Sequence, residues 1–223
     1  MTTRTRKGKP ARPPIVLVFG EDDHDRECIK ILLEGLRPDL ARRVKKLRQP
    51  LVLIKNAKPS DVPDRAQTIA GVVDAEREAG PVACVFAHED CDEVEPAHEA
   101  VARKIEEALK VAGCEAHAVA PAWEMEAWWF LWPEAVKAAN PSWRAPDDHV
   151  GKNVGMLVNA KEELARRVVP PKTKPGRGGF IGYRESDAPR IAAKVVELGL
   201  LHQTRATSRS YDRFVRSAAT CKG

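Results

Sequence analysis

Short apolar runs alternate with longer amphipathic segments along the first part of the chain. The short runs are rich in Val, Ile, Leu and Ala and end at acidic or turn residues, which is typical of buried strands. The longer segments repeat their apolar residues at helical spacing. The predicted strands span residues 16–19, 51–56, 82–87 and 115–122. The predicted helices that follow them span residues 26–36, 64–79, 96–112 and 124–132.

This alternation predicts an α/β fold, with a mostly parallel sheet and helices on both of its faces. The pattern weakens after residue 140, where we expect a helical C-terminal extension packed on the core. The sequence therefore predicts a basic flexible arm (1–14), an α/β core (15–139) and the extension (140–223). The predicted helices of the extension span residues 159–168, 187–198 and 210–219.

The size and composition are those of an ordinary globular protein with one core. The chain has 223 residues and a formal net charge of +5. No apolar run approaches the roughly 18–20 residues that cross a membrane, and no apolar segment of signal-peptide type follows the basic N-terminus. We therefore expect a cytoplasmic protein. No cysteine pair has CxxC spacing, and Cys28 and Cys84 lie in apolar patterns, so both are expected to be buried thiols.

Negative charge is concentrated where the first predicted strand meets its helix. Five of the seven residues after Gly20 are acidic. They are Glu21, Asp22, Asp23, Asp25 and Glu27. Acids at a helix start also favour the positive end of the helix dipole, which is sufficient to explain Asp22, Asp23 and Asp25.

A second group of acids follows the third predicted strand, at Asp90 and Asp92. Residues two apart in an extended segment point the same way. If the first and third strands are neighbours, Glu21, Asp90 and Asp92 meet in one cleft at the carboxyl ends of the strands. Crowded carboxylates repel one another unless a cation lies between them, and oxygen ligands suit Mg²⁺ or Mn²⁺. The alternative is that these acids are ordinary polar loop residues.

A third acidic element, Glu124 and Glu126, follows the fourth predicted strand. One of the two is expected to face the cleft, and the sequence does not choose between them. The tryptophans around them are expected to lie in the core rather than to stack on bases.

Basic residues offer contacts for a polyanion. Lysine and arginine are frequent in the N-terminal arm, in residues 37–48, in residues 166–177, which enter the Gly/Pro-rich loop 170–183, and after Arg205. On that loop, Lys172, Lys174 and Arg177 are candidates to bind the phosphate backbone of a nucleic acid. The loop is equally consistent with a basic connector.

Two segments resemble the motifs of TOPRIM domains. "LVFGEDDHDRECIKILLE" is similar to the first motif, in which a strand delivers a glutamate, and "ACVFAHEDCDE" is similar to the second, in which Asp-x-Asp follows a strand. Three further segments resemble standalone bacterial TOPRIM-like proteins, which are often found beside ATPases or in defence loci. These segments are "APAWEMEAWWFLWPEAV", "YRESDAPRIAAKV" and "SRSYDRFVRS". The chain departs from the family pattern in the extra acids after Glu21 and in His88 and Glu89 before Asp90.

The resemblance implies a Mg²⁺- or Mn²⁺-dependent nuclease with a TOPRIM-like, Rossmann-like sheet. Glu21 would be the acid/base or metal-linked glutamate, and Asp90 and Asp92 would be metal ligands. Glu89, Asp25 and Glu126 are further candidate ligands. The implied partners are nucleic acid and an ATPase, in phage defence or nucleic-acid processing. The alternatives are an inactive binding or regulatory subunit that uses the acidic cleft for a cation or a partner and, last, nucleotidyl transfer. The choice among DNA, RNA and tRNA stays open.

Overall fold

The computed structural model describes residues 12–48, 52–170 and 182–222. Within them, four strands form one sheet in which every pair is parallel. The strands are β1 (Ile15–Phe19), β2 (Val44–Lys46), β3 (Val82–His88) and β4 (His117–Val119), in the order β2-β1-β3-β4. The predicted α/β class with a parallel sheet is confirmed, and β1 and β3 are neighbours, as the predicted cleft requires.

Seven α-helices lie in the described residues. They are α1 (Asp23–Leu36), α2 (Val62–Ala79), α3 (Ala97–Val111), α4 (Pro133–Ala139), α5 (Ala160–Val168), α6 (Ala188–Glu197) and α7 (Arg209–Thr220). A 3₁₀ helix, Met125–Leu131, lies between β4 and α4. None of the helices in these ranges is long and apolar enough to cross a membrane.

Alternate residues of β1 enter two separate apolar clusters, because successive side chains of a strand point to opposite faces. Val16 and Val18 belong to a cluster that contains buried apolar residues of α1, α4, α6 and α7 together with four of the five tryptophans. Leu17 and Phe19 belong to a second cluster with residues of α2 and α3. A strand buried on both faces reads as a continuous apolar run, as β1 does.

The second strand is not where the pattern predicted it. The apolar run at 51–56 contains no strand in its described part, and β2 is the short segment Val44–Lys46 instead. In β2 the two lysines carry ion pairs, Lys45 with Glu76 and Lys46 with Asp23. The strand pattern was misleading because Leu53 is buried within a loop whose backbone donors bind a side chain, as described below.

The residues after 140 share the first apolar cluster with the sheet. Ile191, Val195 and Phe214 lie in the same cluster as Val16. Helices α1 and α6 pack so closely that a Cβ added to Gly35 would lie 2.6 Å from Cγ2 of Val196.

The cysteines are only partly as expected. Cys28 is a buried thiol, as predicted. Cys84 is not a thiol, because it forms a disulfide with Cys221, 137 residues away in the sequence. Spacing did not reveal this pair, since the fold brings the residue after α7 against β3.

Candidate metal centre

The carboxyl ends of β1 and β3 bring two of the predicted acids together. The strands run in register, with Phe19 opposite Ala87, so the residues after each strand meet at the same edge. Oε1 of Glu21 accepts a 3.0 Å hydrogen bond from the backbone N–H of Asp90. Glu21 and Asp90 are therefore neighbours, as their positions after the strands predicted.

A histidine lies at the middle of the cluster. His88 is the last residue of β3 and is fully buried. Its Nε2 lies 3.3 Å from Oδ1 of Asp90, and its Nδ1 lies 3.9 Å from Oδ2 of Asp25. One ligand atom from each of these three residues can be chosen so that all lie within 4.8 Å of one another. Neither ring nitrogen has a hydrogen bond of good geometry to any residue in the described ranges.

Asp25 reaches this cluster because of how α1 begins. Asp22 is the N-cap of α1, and its carboxylate accepts a 2.9 Å bond from the backbone N–H of Asp25. The first turn then directs Asp25 inward, where it is buried, while Asp23 stays exposed and pairs with Lys46 and Arg26. The proposed role at the helix start therefore fits Asp22, and Asp25 contributes to the cluster instead.

The pKa values of Asp25 and His88 are both raised in this cluster. Burial raises the pKa of Asp25 to about 8; His88 opposes this rise, and the charges of Asp90 and Asp22 add to it. Burial alone would lower the pKa of His88, but the carboxylates of Asp25 and Asp90 raise it to about 9. The group therefore holds a proton at neutral pH, in the place where a divalent cation would relieve the same repulsion.

Glu126 is the member of the third acidic element whose charge raises the pKa of Asp25. It is buried in the 3₁₀ helix and accepts a 2.8 Å hydrogen bond from the Tyr183 hydroxyl. Burial raises the pKa of Glu126 to about 7, with further contributions from Glu124 and Asp90. Glu124 turns to the start of α5, where it accepts a 2.6 Å bond from the backbone N–H of Lys161.

Asp92 does not share a site with Asp90. The chain leaves the extended conformation at Asp92, whose φ is 55°, so the two side chains are not parallel. The Asp92 side chain is 61% exposed, and its Oδ2 lies 3.3 Å from Nζ of Lys55. The same ammonium lies 3.0 Å from Oε2 of Glu21. Lys55 is therefore a cation already present at the rim of the cluster, and it was not among the predicted site residues because its segment was predicted as a strand.

Glu89 faces away from the cluster and holds the loop that carries Lys55. Its carboxylate accepts the backbone N–H groups of Leu53, Ile54 and Lys55, the last at 2.7 Å. Both oxygens are engaged by these donors, so Glu89 is a structural anchor in this arrangement. Lys172, Lys174 and Arg177 lie outside the described residues.

The three central side chains fit a divalent cation. The ring nitrogens of His88 face the carboxylates of Asp90 and Asp25 without a hydrogen bond of good geometry to any described residue, which marks a polar site where a cation fits. Two carboxylates and one imidazole are a mixed oxygen and nitrogen donor set, which suits Mn²⁺ better than Mg²⁺ because Mg²⁺ prefers oxygen. His88 is the residue that sequence reasoning overlooked as a ligand, although its position before Asp90 was visible as a departure from the family pattern.

No family model, no curated protein and no solved structure matches this chain.

Proposed function

We propose that this protein is a divalent-cation-dependent phosphodiesterase that hydrolyses nucleic acid at the carboxyl edge of β1 and β3. The observation that carries the proposal is the group of the buried Asp25 and His88 with the half-buried Asp90, whose ligand atoms lie within 4.8 Å of one another. The ring of His88 is buried between two carboxylates without a hydrogen bond of good geometry to any described residue, and buried polar groups are costly unless they are paired. A cation-binding centre gives them that partner.

The proposed ligands are Asp25, His88 and Asp90, with Mn²⁺ as the preferred ion and Mg²⁺ as the alternative. A bound ion of this kind polarises a phosphate oxygen and lowers the pKa of its water. The hydrogen bond that Glu126 accepts from the Tyr183 hydroxyl fixes the orientation of its carboxylate.

Two residues at the rim would act on the substrate. Burial raises the pKa of Glu21, which suits it to accept a proton from the attacking water. Lys55 Nζ lies 3.0 Å from Glu21, so a phosphate at the rim would be within reach of the ammonium. In the protein alone, Lys55 shields Glu21 and Asp92 from each other, and a phosphate would compete with those carboxylates for it.

The test combines metal binding with cleavage. Binding of Mn²⁺ and Mg²⁺ is measured by electron paramagnetic resonance and calorimetry, and cleavage is followed on single-stranded and double-stranded DNA and RNA. We expect Mn²⁺ to bind, and Asp90→Asn and His88→Gln to lose both binding and cleavage. Asp74→Asn is the matched control, since Asp74 is an exposed acid on α2 that pairs with Arg77.

The ion pairs of Lys55 favour one alternative, a binding subunit whose acids are balanced by its own lysine and contact a partner protein. This alternative predicts a folded protein that binds neither ion and cleaves no substrate. Mn²⁺ binding that Asp90→Asn abolishes would exclude it, and no binding by the folded wild-type protein would overturn the proposed metal centre.

A further inference from the structure

A cavity of about 260 Å³ lies between α3 and α7, and four arginines line it. They are Arg103, Arg209, Arg213 and Arg216. The three on α7 stand at intervals of four and three residues, which places them on one face of the helix. The opposite face of α7 buries Tyr211, Phe214 and Ala218, so packing of the helix fixes the direction of the arginine face.

The cavity has more positive charge than its own acids neutralise. Arg209 is paired with Glu99, and Arg213 is held by both oxygens of Glu106 at 2.7 Å. Arg103 and Arg216 make no ion pair or hydrogen bond with any residue in the described ranges. Asp212 is the other acid of the lining. Two guanidinium groups are thus free to bind an anion, for which their planar donor geometry is well suited.

A buried polar group without a partner lies in the same wall. His98 is 1% exposed, and its Nδ1 has no hydrogen bond among the residues that the structure describes. Buried polar atoms are nearly always satisfied, so an unsatisfied one beside a basic cavity is a second sign that a ligand belongs there.

The cavity lies toward the same edge of the sheet as the metal centre. Helix α3 begins nine residues after the end of β3, and His98 and Arg103 are in its first two turns. The start of α7 is tied to this edge by Glu95, which accepts bonds from Ser208 Oγ and from the backbone N–H of Ser210. Ser210 Oγ in turn accepts the N–H of Ala122, just beyond β4. These bonds hold the arginine face in a fixed position relative to the strand ends.

We propose that this arginine cavity binds a backbone phosphate of a nucleic acid and so holds the strand whose scissile phosphate lies at the metal centre. The assignment of the strand to that centre rests on the proposed function, whereas the anion site rests on the cavity alone. The free arginines supply the phosphate contacts, and the ion-paired Arg209 and Arg213 form its walls.

The experiment measures binding without catalysis. Fluorescence anisotropy is recorded with a labelled single-stranded oligonucleotide, as DNA and as RNA, in EDTA and over a range of salt. We expect the double variant R103Q/R216Q to bind about tenfold more weakly, with a salt dependence of log K reduced by about 1.4 for two lost contacts to a single strand. R103K/R216K keeps both positive charges, and its affinity for the oligonucleotide is expected to lie between those of the wild type and R103Q/R216Q, because lysine lacks the planar, bidentate donor geometry of arginine.

The matched control is R77Q/K194Q, which removes two positive charges from exposed ion pairs on α2 and α6. It lowers the net charge equally, so it is expected to change the affinity less than about twofold if the cavity is the site. Circular dichroism of each variant confirms folding. Equal weakening by both double variants, or no weakening by R103Q/R216Q, would overturn the proposal.

Two further measurements identify the class of ligand and distinguish this proposal from the proposed function. Inorganic phosphate and pyrophosphate are each tested as competitors of the oligonucleotide, and inorganic phosphate is expected to compete only weakly. If the protein binds pyrophosphate as tightly as the oligonucleotide, the ligand of the cavity is a small anion and the nucleic-acid assignment is overturned. Asp90→Asn is expected to bind the oligonucleotide in EDTA like the wild type. If Asp90→Asn binds the oligonucleotide but not Mn²⁺, the cavity acts independently of the metal centre. If R103Q/R216Q still cleaves and binds the oligonucleotide with unchanged affinity, the cavity proposal is refuted and the proposed metal centre is not.

Discussion

The backbone N–H of Lys55 donates a 2.7 Å hydrogen bond to Oε2 of Glu89, and this bond fixes the loop from which the Lys55 ammonium reaches Glu21. Glu89 lies directly after β3, whereas Lys55 belongs to an irregular segment between β2 and α2. A carboxylate accepts several donors at once, which is why one buried acid can replace a strand ladder for three successive amides. Glu89 therefore positions Lys55 through a hydrogen bond to its backbone N–H rather than through an ion pair with its ammonium.

Glu89→Gln is expected to release this loop without removing the metal ligands. The amide has one acceptor oxygen, so part of the donor set from Leu53 to Lys55 loses its partner, at a cost of about 1–3 kcal/mol in the free energy of unfolding. Hydrogen exchange at these amides should accelerate, as measured by mass spectrometry, while Mn²⁺ affinity stays within about threefold, since the carboxylate lies outside the set of ligands.

Glu93→Gln is the control for that experiment, because Glu93 is an exposed acid four residues further on. It should leave exchange at the loop unchanged. A loss of Mn²⁺ binding in Glu89→Gln with the loop amides still protected would show that Glu89 is a ligand and would contradict the anchor role.

Asp90 and Asp92 are expected to differ sharply as metal ligands. Asp90 lies against His88, whereas the Asp92 side chain is exposed and points to Lys55. Asp90→Asn should weaken Mn²⁺ binding by at least about tenfold, and Asp92→Asn should change it by less than about threefold. Calorimetric titration of both variants makes the comparison at equal loss of charge. Equal losses in the two variants would mean that the chain reorganises to use both acids of the Asp-x-Asp segment.

The strand-end acids could be predicted from sequence, whereas their partners could not. Glu21 and Asp90 follow apolar runs that form neighbouring parallel strands, so their meeting depends on local pattern and a general rule of topology. The expectation for Asp92 assumed an extended chain, which ends in a positive φ at that residue. Lys55 was missed because "LVLIKN" has the composition of a strand, and only the tertiary position of Glu89 explains why its amides are satisfied without one.

The C-terminal residues show the same limit. Helical spacing predicted α6 and α7 closely, because their apolar residues recur on one face. The pairing of Cys84 with Cys221 depends on where the end of α7 lies, which spacing alone does not determine. The arginines of α7 were visible only as general basic charge, and their shared cavity requires the packing of α7 beside α3.

Gly155→Ala is expected to destabilise the attachment of α7. A Cβ at this position would lie 2.2 Å from Oε1 of Glu95, the oxygen that accepts bonds from Ser208 and Ser210. Displacing this buried carboxylate should cost about 1–3 kcal/mol in the free energy of unfolding, measured by denaturation with urea.

Gly71→Ala is the matched control for Gly155→Ala. Gly71 lies within α2, and an added Cβ would meet nothing within 4 Å. The substitution should stabilise the protein by about 0.5–1 kcal/mol, because alanine loses less backbone entropy in a helix. A neutral Gly155→Ala variant would show that Glu95 can move without losing its partners.

Glu163 on α5 is expected to give the protein a stability that depends on acid pH. Burial alone would raise the pKa of Glu163, but Arg166, Arg167 and His149 lower it from 4.5 to about 2. Since the pKa is lower in the folded state, the carboxylate stabilises the fold above about pH 4.5, and this contribution is lost as the pH falls toward 2. Arg166 is 70% exposed and solvent screens it, so we expect Glu163→Gln to cost on the order of 1–2 kcal/mol at neutral pH.

The measurement is the difference in free energy of unfolding between wild type and variant along a descending pH series, with Glu162→Gln, an exposed neighbour on the same helix, as the control. The difference should shrink below about pH 4.5 for Glu163→Gln only, and a difference that stays constant with pH would show that the three basic partners do not act through the charge of Glu163.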